Sequence, residues 1–169
     1  MTKALLVIDV QNDYFSGGAF PLWNPEATLE RVEHAIGQAK AKDIPVILIQ
    51  HLAPRGAAPF FEEGSAGAEI HPRILSAAPG APVVQKTYAD SFVKTTLEET
   101  LEKLSVKELL VCGMMTHNCV THTSISKSAE KYGVTVLADA CTTVTELLHQ
   151  LALHALSPRV RLAPTTEVL

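Results

Sequence analysis

Leu109-Leu110-Val111-Cys112-Gly113-Met114-Met115-Thr116-His117-Asn118-Cys119-Val120 is the stretch from which the rest of the chain is best read. It opens as an apolar, β-type run, breaks at Gly113 and is polar through Thr116, His117 and Asn118. From Cys119 the pattern is helical to about Tyr132, with Gly133 placed to end the helix as its C′ residue. A strand–turn–helix of this kind is half of a βα unit, and it puts Cys119 in the first helical turn. A thiol there lies near unpaired backbone N–H groups and the positive end of the helix dipole. Both favour thiolate over thiol. A buried, inert thiol is the commoner fate of a free cysteine, and this stretch alone supports either outcome.

Working outward, the same alternation recurs along the chain. Ala4 to Val10 is a continuous apolar run, as in a strand buried on both faces of a parallel sheet. Asp9 lies near its C-terminal end, and Gln11-Asn12-Asp13 with Gly17-Gly18 make a loop. Asn24-Pro25 predicts an N-cap followed by Pro at the first helical position. Leu29, Val32, Ile36 and Ala39 then recur at helical spacing up to Asp43. Further strands are predicted over 44–49, 82–86, 106–112 and 134–138, with an edge strand over 159–162. Helices are predicted around Leu97–Leu104 and over 145–156. Residues 51–81 have no clean period, and a connection that long is more often functional than idle. The predicted fold is a three-layer, Rossmann-like α/β arrangement in a single domain spanning residues 1–169. A mainly parallel sheet of about six strands carries helices on both faces.

Composition narrows the function. The chain has 169 residues, 47% hydrophobic and 19% charged, with a net charge of −4. That suits a compact protein able to bury a core without disulfides or metals. No Lys/Arg run points to nucleic acid or an anionic membrane surface. Three cysteines, Cys112, Cys119 and Cys141, do not form a disulfide framework. The N-terminal apolar run is too short for a signal peptide, and no run reaches membrane-spanning length. The expected setting is reducing and cytoplasmic.

Ligands of open α/β sheets bind beyond the carboxyl ends of the strands. Asp9, Lys86 and the Cys119 turn all follow such ends. Taken singly, Asp9 could cap a loop and Lys86 could be a strand-end charge. Together, they suit nucleophilic catalysis: Cys119 attacks a carbonyl carbon and Asp9 takes the thiol proton. Lys86 holds charge balance and lowers the thiol pKa. Phe15, Trp23, Tyr88, Phe92 and His117 are candidate substrate-binding residues, with core packing as the alternative for the aromatics. The pair Phe60-Phe61 carries the same ambiguity. His122 reads as a helix residue, and Cys112 and Cys141 read as structural. No G-x-G-x-x-G motif follows a strand, so no nucleotide cofactor is expected.

The chain resembles the isochorismatase-like cysteine hydrolases, a family of isochorismatases, nicotinamidases and N-carbamoylsarcosine amidohydrolases. The resemblance rests on Leu6-Val7-Ile8-Asp9-Val10-Gln11-Asn12-Asp13-Tyr14-Phe15, on Val84-Gln85-Lys86 with Ser91-Phe92, and on Cys112 through Val120. Gly67-Ala68-Glu69-Ile70-His71-Pro72 and Leu137-Ala138-Asp139-Ala140 extend it over nearly the whole chain. It implies Asp9, Lys86 and Cys119 as a catalytic triad. It also implies a cis peptide at Met114-Met115 and an oxyanion hole made by the amides of Met115 and Cys119. Nicotinamidases of the family carry an Asp-x-His metal motif after the second strand. Here that segment reads Gln50-His51-Leu52-Ala53-Pro54-Arg55-Gly56, so no metal is expected, and His51 reads as a pocket-lining or surface residue.

Some isochorismatases lack the nucleophilic cysteine, so retention of Cys119 points to C–N bond hydrolysis. The expected activity is cleavage of a small amide, carbamoyl or imide-like substrate through a thioester. The alternatives are vinyl-ether hydrolysis with Asp9 as acid, and a non-hydrolytic, redox-responsive thiol protein. The expected partners are a small-molecule substrate and further copies of the chain, as a dimer or tetramer, with no nucleic acid and no membrane.

Overall fold

The computed structural model describes residues 2–169; Met1, the first residue of the N-terminal run, lies outside the described residues. Six parallel strands form one sheet: β1 (Lys3–Ile8), β2 (Val46–His51), β3 (Val83–Lys86), β4 (Glu108–Met114), β5 (Gly133–Thr142) and β6 (Arg161–Ala163). Their spatial order is β3-β2-β1-β4-β5-β6. The chain therefore winds outward in one direction from β1 to β3, returns to the centre, and winds the other way from β4 to β6. That reversal falls between β1 and β4, and ligands of such sheets bind beyond the carboxyl ends of the strands at that point.

The sheet is buried on both faces because its central strands carry continuous apolar runs, Ala4–Ile8 in β1 and Leu109–Cys112 in β4. In β1, Leu5 and Val7 face one core while Ala4, Leu6 and Ile8 face the other. The first face is covered by α1 (Pro25–Ala41) and α2 (Pro72–Ala77), through Leu29, Val32, Ile36 and Ile74. The short α6 (Thr165–Val168) and the terminal Leu169 complete it. The second face is covered by α3 (Leu97–Lys103) through Leu97 and Leu101, and by α5 (Glu146–Leu156) through Leu156. Val120 and Ala129 from the segment after β4 fill the space between them.

Several local expectations are revised. The helix expected from Cys119 to Tyr132 is broken into three pieces. A π-type turn over Thr116–Val120 leads into a single turn of helix, α4 (Thr121–Ser124), and then a 3-10 segment over Lys127–Lys131. Ser126 restarts the chain by accepting a hydrogen bond from Ser128 N–H, a capping arrangement set in mid-segment. Gly133 is the first residue of β5 rather than a helix C′ residue. Strand β5 runs to Thr142, well past Ala138, because a register shift between Val111 and Gly113 lets β4 and β5 pair again beyond it. Asn24 precedes α1, but at φ 48° its side chain makes no capping bond, and its carbonyl receives the Thr28 hydroxyl instead. Within 51–81 the structure has the 3-10 turn Ala66–Ala68 and helix α2, both too short to leave a period. Among the described residues, no helix is long and apolar enough to cross a membrane.

Gly113 shows how tightly the carboxyl edge is drawn. It pairs with Ile8 across the β1–β4 register, and a Cβ placed on it would lie 2.1 Å from the Ile8 carbonyl oxygen. Its φ of +117° is itself closed to side-chain-bearing residues. Gly113→Ala is expected to lower stability by about 2–4 kcal/mol, from overpacking against fixed backbone plus dihedral strain. Urea denaturation of the variant against the wild type measures this.

Candidate active site

Each functional side chain stands at the end of a different strand, and the four strands are neighbours. Lys86 ends β3 and His51 ends β2, where the two are register partners. Asp9 directly follows β1, and Cys119 follows β4 after the turn. The order β3-β2-β1-β4 thus sets Lys86, His51, Asp9 and Cys119 along one edge, with the reversal of strand order falling between Asp9 and Cys119.

The Asp9 backbone leaves the strand in a left-handed conformation, φ 51°, rare for a residue with a side chain. Its own amide still bonds the Ile49 carbonyl at 3.1 Å, so the turn begins at Asp9 itself. On the β4 side, the Met114–Met115 peptide is cis. The Met115 carbonyl receives the amides of Asn118 and Val120, at 3.0 and 3.2 Å, which curls the turn that carries Cys119.

At the centre is the Lys86 ammonium. It lies within hydrogen-bond distance of His51 Nδ1 at 2.9 Å, Asp9 Oδ2 at 3.0 Å, the Tyr88 carbonyl at 3.0 Å and Cys119 Sγ at 3.2 Å. The side chains of Asp9 and Lys86 are wholly buried, and Cys119 is 1% exposed. Among the described residues, Asp9 Oδ1 is buried without a hydrogen-bond partner, an acceptor left open. One oxygen of Asp9, a ring nitrogen of His51 and Sγ of Cys119 lie within 4.8 Å of one another, as metal ligands would. The ammonium contacts all three residues at 2.9–3.2 Å. The charge at the centre of this donor set is therefore Lys86 itself, and the set does not fit a metal ion.

Burial alone would raise the Asp9 carboxyl, but the Lys86 charge, aided by His51 and the thiol, more than offsets it and holds the carboxyl below 3.8. Burial likewise opposes the charge on Lys86, and Asp9 and Cys119 overcome it, so the ammonium is held above 10.5. Cys119 goes the other way. Burial first, and then the Asp9 carboxylate, push its thiol well up, and Lys86 only partly counters them. This corrects the expectation of a thiol with a lowered pKa. The helix after Cys119 is a single turn with little dipole to offer, and the neighbouring cation is already matched by Asp9. The resting cluster is an ion pair beside a neutral thiol.

The other candidates are placed more loosely. Tyr88 reaches the cluster through its carbonyl, while its ring is exposed beneath the Lys94 ammonium. Phe92 is buried and stacks on Tyr132, and Phe15 packs on His71 in the opposite core. Trp23 is half-buried, 6.1 Å from the His149 ring. The imidazole of His117 bonds Thr143 Oγ1 at 2.6 Å. None of these four touches the cluster through a hydrogen bond.

Sequence reasoning undervalued three residues. His51, read as pocket lining or surface, is a direct partner of Lys86. Gln11, read as part of a loop, is fully buried; it accepts from His51 N–H and donates to the carbonyls of His51 and Ala68. Asp13 braces two loops, accepting from Ala19 N–H at 3.0 Å and Phe61 N–H at 2.7 Å. The available signal was the run of polar residues directly after a buried strand, where backbone amides and carbonyls need partners.

The fold and cluster define an α/β protein with a thiol, a carboxylate and an ammonium at the switch point of a parallel sheet. The model of the isochorismatase domain matches residues 3–168, so the chain belongs to the isochorismatase family and is an isochorismatase-like hydrolase. It is 39% identical over 145 residues to the isochorismatase family protein YddQ of Bacillus subtilis, covering 86% of this chain and 80% of that one. Nicotinamidase 3 of Arabidopsis thaliana is 32% identical over 165 residues, with 91% and 80% covered. The crystal structure of a provisionally assigned isochorismatase hydrolase from Oleispira antarctica superposes with a TM-score of 0.90 at 34% identity, covering 99% and 95% of the two chains.

The buried pair makes stability depend on pH in a defined way. The Asp9 contribution is complete above 3.8 and is lost as pH falls through the lower value that carboxyl has in the folded state. The Lys86 contribution is complete below 10.5 and is lost as pH rises through its higher folded value. Lys86→Met, which strands a buried carboxylate, is expected to cost about 3–5 kcal/mol at neutral pH. The gap from the wild type should narrow in acid, and adding Asp9→Asn should restore most of it. Urea denaturation across pH reads all three effects.

Proposed function

We propose that the chain is a cysteine hydrolase that cleaves the C–N bond of a small, uncharged amide, carbamoyl or imide-like substrate. One observation carries the reading: Cys119 Sγ lies 3.2 Å from the Lys86 ammonium, while the Asp9 carboxylate beside it keeps Oδ1 free to accept a proton. As Sγ bonds to the substrate carbonyl carbon, the thiol proton passes to Asp9 Oδ1 and the carbonyl electrons move onto oxygen. The amides of Met115 and Cys119 receive that oxyanion, each donor contributing about 3 kcal/mol in comparable chemistry. Collapse breaks the C–N bond, and the amine leaves with the proton from Asp9. Water then attacks the thioester, giving one proton to Asp9, and expulsion of sulfur returns that proton to Cys119. Lys86 stays an ammonium throughout and pairs with whichever neighbour is anionic.

Two further observations support amide chemistry. Lys86 is neutralised by Asp9, so the cluster offers no unmatched cation for a carboxylated substrate. Asp9 is also held in its ionised form, which argues against its serving as the resting acid in vinyl-ether hydrolysis. A redox-responsive thiol would need thiolate character at rest, and burial works against that here. A nicotinamidase among the relatives is consistent with amide hydrolysis, although the Asp-x-His segment is absent.

A panel of small amides, ureas and imides assayed with the wild type and Cys119→Ala tests the assignment. Loss of about a thousandfold or more in kcat/KM is expected for Cys119→Ala, together with an acyl-mass adduct on Cys119 in quenched wild-type samples. Undiminished turnover in Cys119→Ala would sink the nucleophile. Vinyl-ether hydrolysis that survives Cys119→Ala but not Asp9→Asn would replace the amide reading.

A further inference from the structure

The Lys86 ammonium has four acceptors within 3.2 Å and only three N–H donors. One contact must therefore be weak at any moment. Sulfur is intrinsically the poorest acceptor of the four, although 3.2 Å is a close approach for so large an atom. The closest is His51 Nδ1 at 2.9 Å. The same Nδ1 lies 3.7 Å from Asp9 Oδ2 and 3.9 Å from Cys119 Sγ, but its closest neighbour is an ammonium that can only donate, which assigns Nδ1 as acceptor and the ring proton to Nε2.

His51 is held in that position by its own backbone. Its N–H bonds Gln11 Oε1 and its carbonyl receives Gln11 Nε2, both at 2.8 Å, from a side chain that is fully buried. A second bond from Gln11 Nε2, to the Ala68 carbonyl at 2.7 Å, fixes Gln11 in turn. The imidazole is 21% exposed, whereas the Asp9 and Lys86 side chains are fully buried. A substrate approaching from solvent therefore meets His51 before it meets the ion pair.

We infer that His51 is a positioning residue that withholds one Lys86 proton from the sulfur of Cys119. This rests on the proposed role of Cys119 but concerns its acidity rather than its substrate. In the resting cluster the ammonium protons serve His51, Asp9 and the Tyr88 carbonyl, and the thiol keeps its own proton. When that proton moves to Asp9 Oδ1, the sulfur becomes the better acceptor, and the N–H that served His51 turns to it. Proton count is conserved: thiol and carboxylate become thiolate and carboxylic acid, and Lys86 remains an ammonium. The charged or titratable groups facing the sulfur are Asp9, Lys86 and His51. Tyr14, the remaining one in range, is kept neutral by burial.

The test needs no substrate, so it stands apart from the hydrolase assignment. The rate at which iodoacetamide alkylates Cys119 is followed against pH by peptide mass in the wild type, His51→Leu and His51→Asn. Leu and Asn have nearly the same shape, but only Asn offers an oxygen where Nδ1 stood. His51→Leu is expected to alkylate about tenfold faster at neutral pH, its profile moving down by about one pH unit. His51→Asn should stay close to the wild type. An unchanged or slower rate in His51→Leu, or equal shifts in both variants, overturns the inference. Nitrogen-15 spectra of the wild-type imidazole give a second reading independent of any variant. A proton on Nε2 and a bare Nδ1 are expected, and a proton on Nδ1 overturns the proposal.

Discussion

The buried ammonium of Lys86 is the constraint on which the carboxyl edge depends. A charge with no access to water is tolerable only if acceptors surround it. Here they come from four separate stretches: Asp9, His51, the Tyr88 carbonyl and Cys119. Each must arrive within about 3 Å, as hydrogen-bond geometry demands. The parallel register meets much of that demand, because His51 pairs with Lys86 across β2 and β3, and Ile8 pairs with Ile49 and Gly113 on either side of β1. The left-handed turn at Asp9 and the absence of a side chain at Gly113 then draw the central strands together beneath the cluster.

The same constraint explains why the sulfur is a neutral thiol at rest. A cation lowers a neighbouring thiol pKa only to the extent that its charge is unspent. Lys86 is matched by a carboxylate that also repels a second negative charge, and burial penalises the thiolate further. In the proposed reaction, activation then belongs to the moment of attack, when the proton would pass to Asp9. Under the proposed function, a nucleophile arranged this way would stay protected from adventitious alkylation and oxidation until a carbonyl is in place.

Around the cluster, a layer of backbone-directed side chains holds the loops. Gln11 bridges the last residue of β2 and the Ala66–Ala68 turn; Asp13 ties the loop at Ala19 to Phe61. Ser91 bonds Thr123 through both its amide and its hydroxyl, fastening the segment after β3 to helix α4 behind Cys119. These residues fix where the loops can go, which leaves the positions of Asp9, Lys86 and Cys119 to the sheet.

The sequence by itself determined the alternation of strands and helices, since continuous apolar runs such as Leu5–Ile8 and Leu109–Cys112 need cover on both faces. It also placed Asp9, Lys86 and Cys119 at strand ends, because each breaks or closes an apolar run. It could not show that the helix after Cys119 stops after one turn, since a serine such as Ser126 caps a new turn only where the backbone already leaves the helix. His51 and Gln11 were illegible for a related reason. A polar residue after a strand looks the same whether it faces solvent or bonds a group tens of residues away. Only the tertiary register, which brings β2 beside β3 and the Ala66–Ala68 turn over Gln11, decided which it was. The thiol's protonation followed the same rule: proximity to a lysine is legible in the chain, but whether that lysine's charge is already spent depends on what else the fold brings to it.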